Sequence, residues 1–230
     1  MKEVLRVENL HARYGRAQAL WDINLSIGEG DGLGLIGHNG AGKSTLLRCI
    51  AGVHRAGTTG RVFYGETDIR GESSFTIARR GLSFVREGAP VFGDMTVVEN
   101  LMLGTALARR RGTTPRPLSI VWETFPVLET MTSRRAGLLS GGQRQMLATA
   151  TALLSNPSLL LLDEPSAGLA PEAAENCFDA ITRLREAGLS LLIAEQNAEW
   201  LVRVTTRSME IESGRMLRRS GSDSSDAPAV

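Results

Sequence analysis

The sequence has no apolar run that approaches the roughly 18 residues needed to span a bilayer. Its first ten residues, MKEVLRVENL, carry charges at Lys2, Glu3 and Arg6, and therefore lack the apolar centre of a secretory signal peptide. The 26 lysines and arginines nearly balance the 25 aspartates and glutamates, so no basic field points to nucleic acid. We expect a cytoplasmic chain that binds no nucleic acid and reaches a membrane only through a partner.

Cysteine is also scarce. Cys49 and Cys177 are the only two, and each falls within a predicted helix. A single long-range disulfide is one interpretation, but two free buried thiols in a reducing compartment are favoured. Apolar residues, by contrast, make up 42% of the 230 residues. That content is enough to bury the core of one α/β domain with a small inserted lobe.

A glycine-rich stretch, GHNGAGKS at 37–44, matches the pattern G-x-x-x-x-G-K-[ST]. An apolar strand-like run, Leu33–Ile36, precedes it, and a helical run, Thr45–Ala51, follows it. This context predicts a phosphate-binding loop rather than an ordinary glycine-rich turn. Backbone amides at the helix start would bind phosphate, Lys43 would reach the outer phosphates, and Ser44 would ligate magnesium. The predicted nucleotide-binding residues here are Gly37, His38, Asn39, Gly40, Ala41, Gly42, Lys43, Ser44 and Thr45.

Hydrophobic patterns divide the rest of the chain into alternating strands and helices, with a mainly helical middle third. The predicted strands are Val4–Val7, Ala19–Ile27, Leu33–Ile36, Arg61–Tyr64, Leu82–Val85, Leu159–Asp163 and Leu189–Ala194. The predicted helices are Thr45–Ala51, Ser73–Arg80, Val97–Leu107, Ile120–Leu128, Gly141–Leu154, Pro171–Ala187 and Ala198–Val204. A hairpin is predicted over Arg207–Arg218, with its turn at Ser213 and Gly214. We therefore expect an α/β domain over 1–219, a helical lobe at about 87–155 and a disordered tail at 220–230.

The apolar strand Leu159–Asp163 is followed directly by a second carboxylate, Glu164. Ligands of parallel α/β sheets bind outside the carboxyl ends of the strands. Asp163 is therefore placed to hold magnesium beside Ser44, and Glu164 is placed to polarise an attacking water. The alternative is an acidic pair that only caps a helix.

The segment LSGGQ at 139–143 precedes the predicted helix that ends at Leu154. Ser140 is a natural N-cap residue, and the glycines Gly141 and Gly142 leave the amide hydrogens at the helix start uncovered. Together with Gln143, these residues predict a second anion-binding helix terminus. A capped helix after a flexible turn is the alternative.

A phosphate loop, then LSGGQ, then an apolar strand that ends in Asp163, Glu164 and Pro165 is an order that resembles the nucleotide-binding subunit of an ATP-binding-cassette (ABC) transporter, over about residues 3–217. The resemblance implies an ABC-type P-loop NTPase core with an antiparallel β subdomain and an inserted helical lobe. It implies bound ATP and Mg²⁺, and a head-to-tail pair of cassettes in which Ser140–Gln143 of one subunit faces the phosphate loop of the other. It also implies two membrane permeases and a periplasmic binding protein as partners, at the cytoplasmic face of the inner membrane. The second cassette is expected to be a different chain, with a homodimer as the alternative.

Three further residues and one loop take their roles from this resemblance. Tyr14 matches the aromatic residue that stacks on adenine, although a core or turn tyrosine is the alternative. Ser166–Leu169 matches the loop that contacts the other cassette. Glu87 falls where most cassettes have a glutamine near magnesium, and Gln196 falls where most have a switch histidine that touches the γ-phosphate.

The glutamine at the switch position changes the chemistry available there. The three histidines of the chain are His11, His38 and His54, so none can serve at position 196. Gln196 can donate a hydrogen bond to the γ-phosphate, but it carries no positive charge. Its contact is therefore expected to be weaker than a charge-assisted one.

Several segments resemble the second ATPase subunit of branched-chain amino-acid importers, whose wider family imports urea, short amides or aromatic acids. They include Trp122–Pro126, Gly168–Pro171 and Glu195–Ala198. At two places this chain differs from what is usual in that subfamily: Arg86 replaces a proline, and residues 88–90 replace a more basic stretch. Both places lie where the helical lobe would meet a permease. One alternative function is a soluble cassette that acts on DNA or ribosomes. Another is a phosphate-loop kinase, although a kinase would not need LSGGQ.

Overall fold

The computed structural model of the protein describes residues 2–88 and 90–220. The strands in this part of the chain are β1 Glu3–Tyr14, β2 Ala17–Gly28, β3 Gly32–Ile36, β4 Thr59–Tyr64, β5 Thr67–Asp68, β6 Leu82–Val85, β7 Leu159–Asp163, β8 Ser190–Glu195, β9 Arg207–Glu212 and β10 Arg215–Ser220. The α-helices are α1 Lys43–Ile50, α2 Ser74–Arg80, α3 Val97–Arg110, α4 Ser119–Thr124, α5 Pro126–Glu129, α6 Gly141–Leu154, α7 Pro171–Glu186 and α8 Ala198–Val204. A short 3-10 helix, Ala136–Leu138, precedes α6.

The strands form two sheets. One is antiparallel, in the order β2-β1-β4-β5. The other has the order β10-β9-β3-β8-β7-β6, and its strands are parallel except for β10, which runs antiparallel to β9. Every residue of β7 and β8 is buried, as expected for parallel strands that are covered on both faces. The parallel pairing places the carboxyl ends of β3, β8 and β7 side by side at one edge.

The parallel sheet separates two apolar cores. Leu159 and Leu161 of β7 pack with α1 and the antiparallel sheet, whereas Leu160 and Leu162 pack with α3, α6, α7 and α8. This division follows from the period of two in a strand, because successive side chains point to opposite faces. The phosphate-loop helix and the helices of the middle third therefore lie on opposite sides of the same sheet.

The middle third is helical as predicted, but the single helix expected at Ile120–Leu128 is wrong. The chain forms α4 and α5 instead, with Phe125 between them at φ −133° and ψ 72°. Pro126 causes the break, because proline disfavours the helical conformation of the preceding residue and brings no amide hydrogen. Pro126 then begins α5, where its fixed φ suits the first turn.

Cys49 and Cys177 are both free and buried, so the disulfide alternative is wrong. Burial raises the pKa of Cys49 to about 11 and that of Cys177 to about 12. Both thiols are therefore protonated at neutral pH. No helix in 2–88 or 90–220 is long and apolar enough to cross a membrane.

The predicted disordered tail, 220–230, begins with Ser220, which the structure places as the last residue of β10. Residues 221–230 lie outside the described residues. Ala89, in the segment expected to differ at the permease contact, also lies outside them.

One arginine joins the ends of three helices, α2, α3 and α6. The guanidinium of Arg111, at the end of α3, donates to the carbonyl oxygen of Asn156 at 3.1 Å and to that of Ser155, just beyond α6. It also donates to the carbonyl oxygen of Ala78 in α2, at 3.3 Å. A cation at a helix C-terminus both pairs with free carbonyl groups and complements the helix dipole.

We predict that Arg111→Ala lowers the free energy of unfolding by about 2 kcal/mol, because it leaves partly buried carbonyl groups without a charged donor. For a chain of this size that corresponds to a fall of about 4 to 8 °C in melting temperature. Arg110→Ala is the control, since Arg110 is an exposed neighbour in the same helix. Equal melting temperatures for the two variants, measured by calorimetry, would contradict the role given to Arg111.

Candidate functional site

The predicted phosphate loop connects β3 to α1 in a conformation that requires glycine. Gly42, the N-cap residue of α1, has a φ of 114°, in the left-handed region that side chains rarely adopt. A Cβ on Gly37 would lie 2.4 Å from the carbonyl oxygen of Ile211. Since Gly42 has no side chain to cap the helix, the amide groups of the first turn are left for a ligand.

Lys43 is held at the base of this loop, with 3% of its surface exposed. Its Nζ donates to the carbonyl oxygens of Gly37 at 2.6 Å and His38 at 3.2 Å. The same ammonium lies 3.3 Å from Oε1 of Glu164. These contacts keep the charge of Lys43 between the loop and the carboxylate predicted to activate water.

Ser44 and Asp163 meet although 119 positions separate them. The Ser44 hydroxyl donates to Oδ1 of Asp163 at 2.9 Å, while Oδ2 of Asp163 is buried without a hydrogen-bond partner in the described residues. Burial raises the pKa of Asp163, although the hydrogen bond from Ser44 and the charge of Arg48 oppose the shift. A hydroxyl beside a carboxylate with a free oxygen is a pair of hard ligands, and these residues fit Mg²⁺.

Gln196 contacts both the predicted general base and the phosphate loop. Its Nε2 donates to Oε2 of Glu164 and to Oδ1 of Asn39, each at 2.9 Å. Glu164 is 8% exposed and has a φ of 48°, which is rare for a residue other than glycine. Strained backbone of this kind is concentrated at active sites.

A cavity of about 570 Å³ opens onto these groups. Among the predicted residues, its lining includes His38, Asn39, Gly40, Gly42, Lys43, Ser44, Thr45, Glu87 and Glu164. The cavity therefore combines the phosphate loop with two of the three residues predicted to act in catalysis, and Gln196 reaches it through Glu164 and Asn39. No group of three or more histidine, cysteine or acidic side chains arranged for a metal occurs within the described ranges. A cation held by few protein ligands is typical of Mg²⁺, which keeps several waters and binds phosphate oxygens.

Sequence reasoning missed five residues that also line this cavity. They are Gln18, Ala19, Arg48, Ser213 and Gly214. Arg48 follows Ser44 by four residues on α1, so the helical period could have identified it. The other four come from β2 and from the β9–β10 turn, which hydrogen bonds such as Gly214 N to Ala41 O bring to the loop. No local pattern reveals that long-range contact.

Tyr14 and the LSGGQ segment lie apart from the cavity lining. Tyr14, the last residue of β1, is 45% exposed, and its ring lies against His54 with centroids 4.2 Å apart. Ser140 and Gln143 form a reciprocal capping box at the start of α6. Ser140, Gly142 and Gln143 line a separate cavity of about 520 Å³, together with Gly168 of the Ser166–Leu169 loop. Within one chain, the two glycine-rich helix starts are therefore not brought together.

Proteins of known family resemble this chain over most of its length. A family model described as ABC transporter matches residues 20–167. The high-affinity branched-chain amino acid transport ATP-binding protein BraG of Pseudomonas aeruginosa is 39% identical over 214 residues, which cover 93% of this chain and 91% of that protein. The probable branched-chain amino acid transport ATP-binding protein LivF of Archaeoglobus fulgidus is 35% identical, with coverage of 93% and 90%.

A solved ATP-binding cassette of an ABC transporter in its ADP conformation has a TM-score of 0.76 at 29% identity, covering 96% of this chain and 92% of that one. The predicted α/β fold of the ABC type is confirmed, and so is the resemblance on which it was based. The chain therefore belongs to the ABC transporter family, as an ATP-binding subunit whose ATP hydrolysis is coupled to transport.

Proposed function

We propose that this chain is the ATP-hydrolysing subunit of an importer for branched-chain amino acids or for related amides, urea or aromatic acids. The observation that carries the enzymatic part is a set of three contacts, each of which has at least one residue in the lining of the same cavity. Lys43 donates a hydrogen bond to the phosphate loop, Ser44 donates one to Asp163, and Gln196 donates one to Glu164. The substrate class is supported by the similarity to BraG and LivF, which are named for branched-chain amino acid transport.

Binding of ATP would use the loop amides and Lys43 for the outer phosphates, and Thr45 lies beside them in the cavity lining. Ser44 and Asp163 would hold Mg²⁺, with Glu87 nearby. When bound, this ion neutralises charge on the β- and γ-phosphates. Tyr14 is proposed to stack on adenine, because its ring is exposed and lies at the end of β1.

Hydrolysis would begin when a water oxygen attacks the γ-phosphorus and Glu164 accepts the water proton. The bond between the γ-phosphorus and the bridging oxygen breaks, which releases ADP and phosphate. Gln196 can hold the Glu164 carboxylate and also donate to a γ-phosphate oxygen. A glutamine adds no positive charge there, so its contribution to stabilising the transition state is smaller than that of a histidinium.

The separation of the two helix starts supports a site shared between two cassettes. The α6 N-terminus lies at its own cavity, beside Gly168 of the loop that follows Glu164. In a head-to-tail pair, Ser140–Gln143 of one subunit would face the phosphate loop of the other, so that two helix starts neutralise one triphosphate. A different homologous cassette is the preferred partner, and a second copy of this chain is the alternative.

Contact with the permeases is proposed at a third cavity, of about 530 Å³, between α2, β6 and α3. Phe75 and Phe92 line it and are 65% and 63% exposed, so two large aromatic side chains are exposed beside one cavity. Arg86 lies at the same cavity, directly before Glu87. Movement of a docked permease segment could therefore be coupled to the nucleotide site at the cytoplasmic face of the membrane.

We predict that Lys43→Ala weakens ATP binding by about 10- to 100-fold, the range for losing a charged hydrogen-bond donor. Arg48 lines the same cavity and supplies a second cation, so some affinity remains. Lys2→Ala is the matched control, because Lys2 is the other lysine of the chain and is exposed. Fluorescent-nucleotide titration measures both variants, and unchanged affinity in Lys43→Ala would contradict the assignment.

Glu164→Gln is expected to retain ATP binding but to slow hydrolysis by a factor on the order of 10² or more, because an amide cannot accept the water proton. Glu66→Gln, in the exposed turn between β4 and β5, serves as the control. Phosphate release under single-turnover conditions is the measurement. Normal turnover by Glu164→Gln would remove this residue from the role of general base.

Co-expression with the neighbouring genes tests the partners and the substrate. We expect the chain to co-purify with two hydrophobic permeases and with a second cassette, and to hydrolyse ATP slowly by itself. A periplasmic receptor encoded beside it should bind leucine, isoleucine or valine, or one of the related amides and acids. Rapid hydrolysis by the isolated monomer would argue against a shared site, and a receptor specific for sugars would reject the proposed substrate class.

A further inference from the structure

A buried carboxylate next to the active site has no role in the mechanism above. Glu195 is the last residue of β8 and is 3% exposed. It does not line the nucleotide cavity, and it lies directly before Gln196. Burying a carboxylate costs free energy unless hydrogen bonds compensate for the lost water, so its partners indicate what it does.

The partners of Glu195 belong to two different parts of the site. Oε1 accepts a hydrogen bond from the backbone amide of Ser166 at 3.0 Å. Oε2 accepts from the backbone amide of Gln196 at 3.3 Å. One side chain therefore connects the loop after Glu164 to the backbone of the switch residue.

These contacts close a ring around the general base. The Glu164 amide donates to the carbonyl oxygen of Ala194 at 2.9 Å, which joins the ends of β7 and β8. The Ala167 amide donates to the Glu164 carbonyl oxygen at 3.0 Å, which completes a tight turn around Ser166. Nε2 of Gln196 donates a hydrogen bond to the Glu164 carboxylate. Since Glu164 has a left-handed φ of 48°, the surrounding contacts must hold this backbone in place.

We propose that Glu195 is a positioning residue for ATP hydrolysis, which holds the 164–167 turn and Gln196 in the arrangement where the two active-site side chains meet. Glu195 itself touches neither the phosphate loop nor the cavity. It acts through the direction of two backbone amides, and thereby through the placement of the Glu164 carboxylate. Misplacement of a catalytic group by about 1 Å can lower a rate by about 10²-fold, so this support has a large kinetic effect.

Three variants separate positioning from simple stability. Glu195→Asp keeps the charge but shortens the side chain by one methylene, which withdraws the acceptor from the Ser166 amide. Glu195→Gln removes the charge but keeps the length and one acceptor oxygen. Ser190→Ala is the control, because the Ser190 hydroxyl is buried at the other end of β8 and accepts a hydrogen bond from the Gly30 amide at 3.0 Å.

We expect Glu195→Asp to lower kcat by about 10- to 100-fold with KM for ATP within about threefold of the wild type, because the phosphate loop is unchanged. Glu195→Gln should lower kcat by less than about fivefold, because the side chain keeps its length and its one amide oxygen can still accept from the Ser166 amide. Ser190→Ala should lower the melting temperature but leave kcat unchanged. All are measured in the assembled transporter complex, with rates expressed per folded protein.

Amide hydrogen exchange over 164–169 provides a readout that does not depend on turnover. Glu195→Asp should speed exchange at Ser166 by about tenfold or more, and Ser190→Ala should leave it unchanged. Unchanged exchange in Glu195→Asp, or equal loss of kcat in the Asp and Gln variants, would overturn the proposal. An inactive wild type would count against the proposed function instead, and exchange would still decide the role of Glu195.

Discussion

The parallel pairing of β3, β8 and β7 is the constraint on which the site depends. It sets their carboxyl ends at one edge, so the phosphate loop after β3 meets residues that follow β7 and β8. The Ser44–Asp163 hydrogen bond and the bond from the Glu164 amide to Ala194 both exist because of that register. Apolar side chains on both faces of β7 hold the strand between the two cores.

The same edge concentrates negative charge in a buried place. Asp163, Glu164 and Glu195 all end strands or follow them directly, and burial raises the pKa of Asp163 and Glu195. Lys43 offsets part of this negative charge through its ion pair with Glu164. Hydrogen bonds from backbone amides stabilise the buried carboxylate of Glu195. Oδ2 of Asp163 has no hydrogen-bond partner among the residues that the structure describes. This arrangement supports the proposal that a cation binds here together with the nucleotide, whose phosphates the loop amides would neutralise from the other side.

Sequence patterns located the elements of the core well because their signals are local. The bounds of α6, β7 and α8 agree with the predictions, since a cap residue, an apolar run or a helix period defines each of them. The predicted helix Ile120–Leu128 was wrong because the effect of Pro126 on Phe125 outweighed the apolar pattern. The strand β5 Thr67–Asp68 was not predicted, because two residues carry no period and are set by pairing with β4.

Sequence patterns predicted the phosphate loop and the carboxylates at the end of β7 and identified the family, because these depend on residue types at fixed spacing. Which distant groups meet became visible in the folded chain alone. In the fold, Gln196 donates hydrogen bonds to Glu164 and Asn39, and Gly214 lies next to the phosphate loop. The helix start that carries LSGGQ lies at a separate cavity. The fold also gave Glu195 its partners. The physical reason is that such contacts follow from strand order and register, which no local spacing encodes.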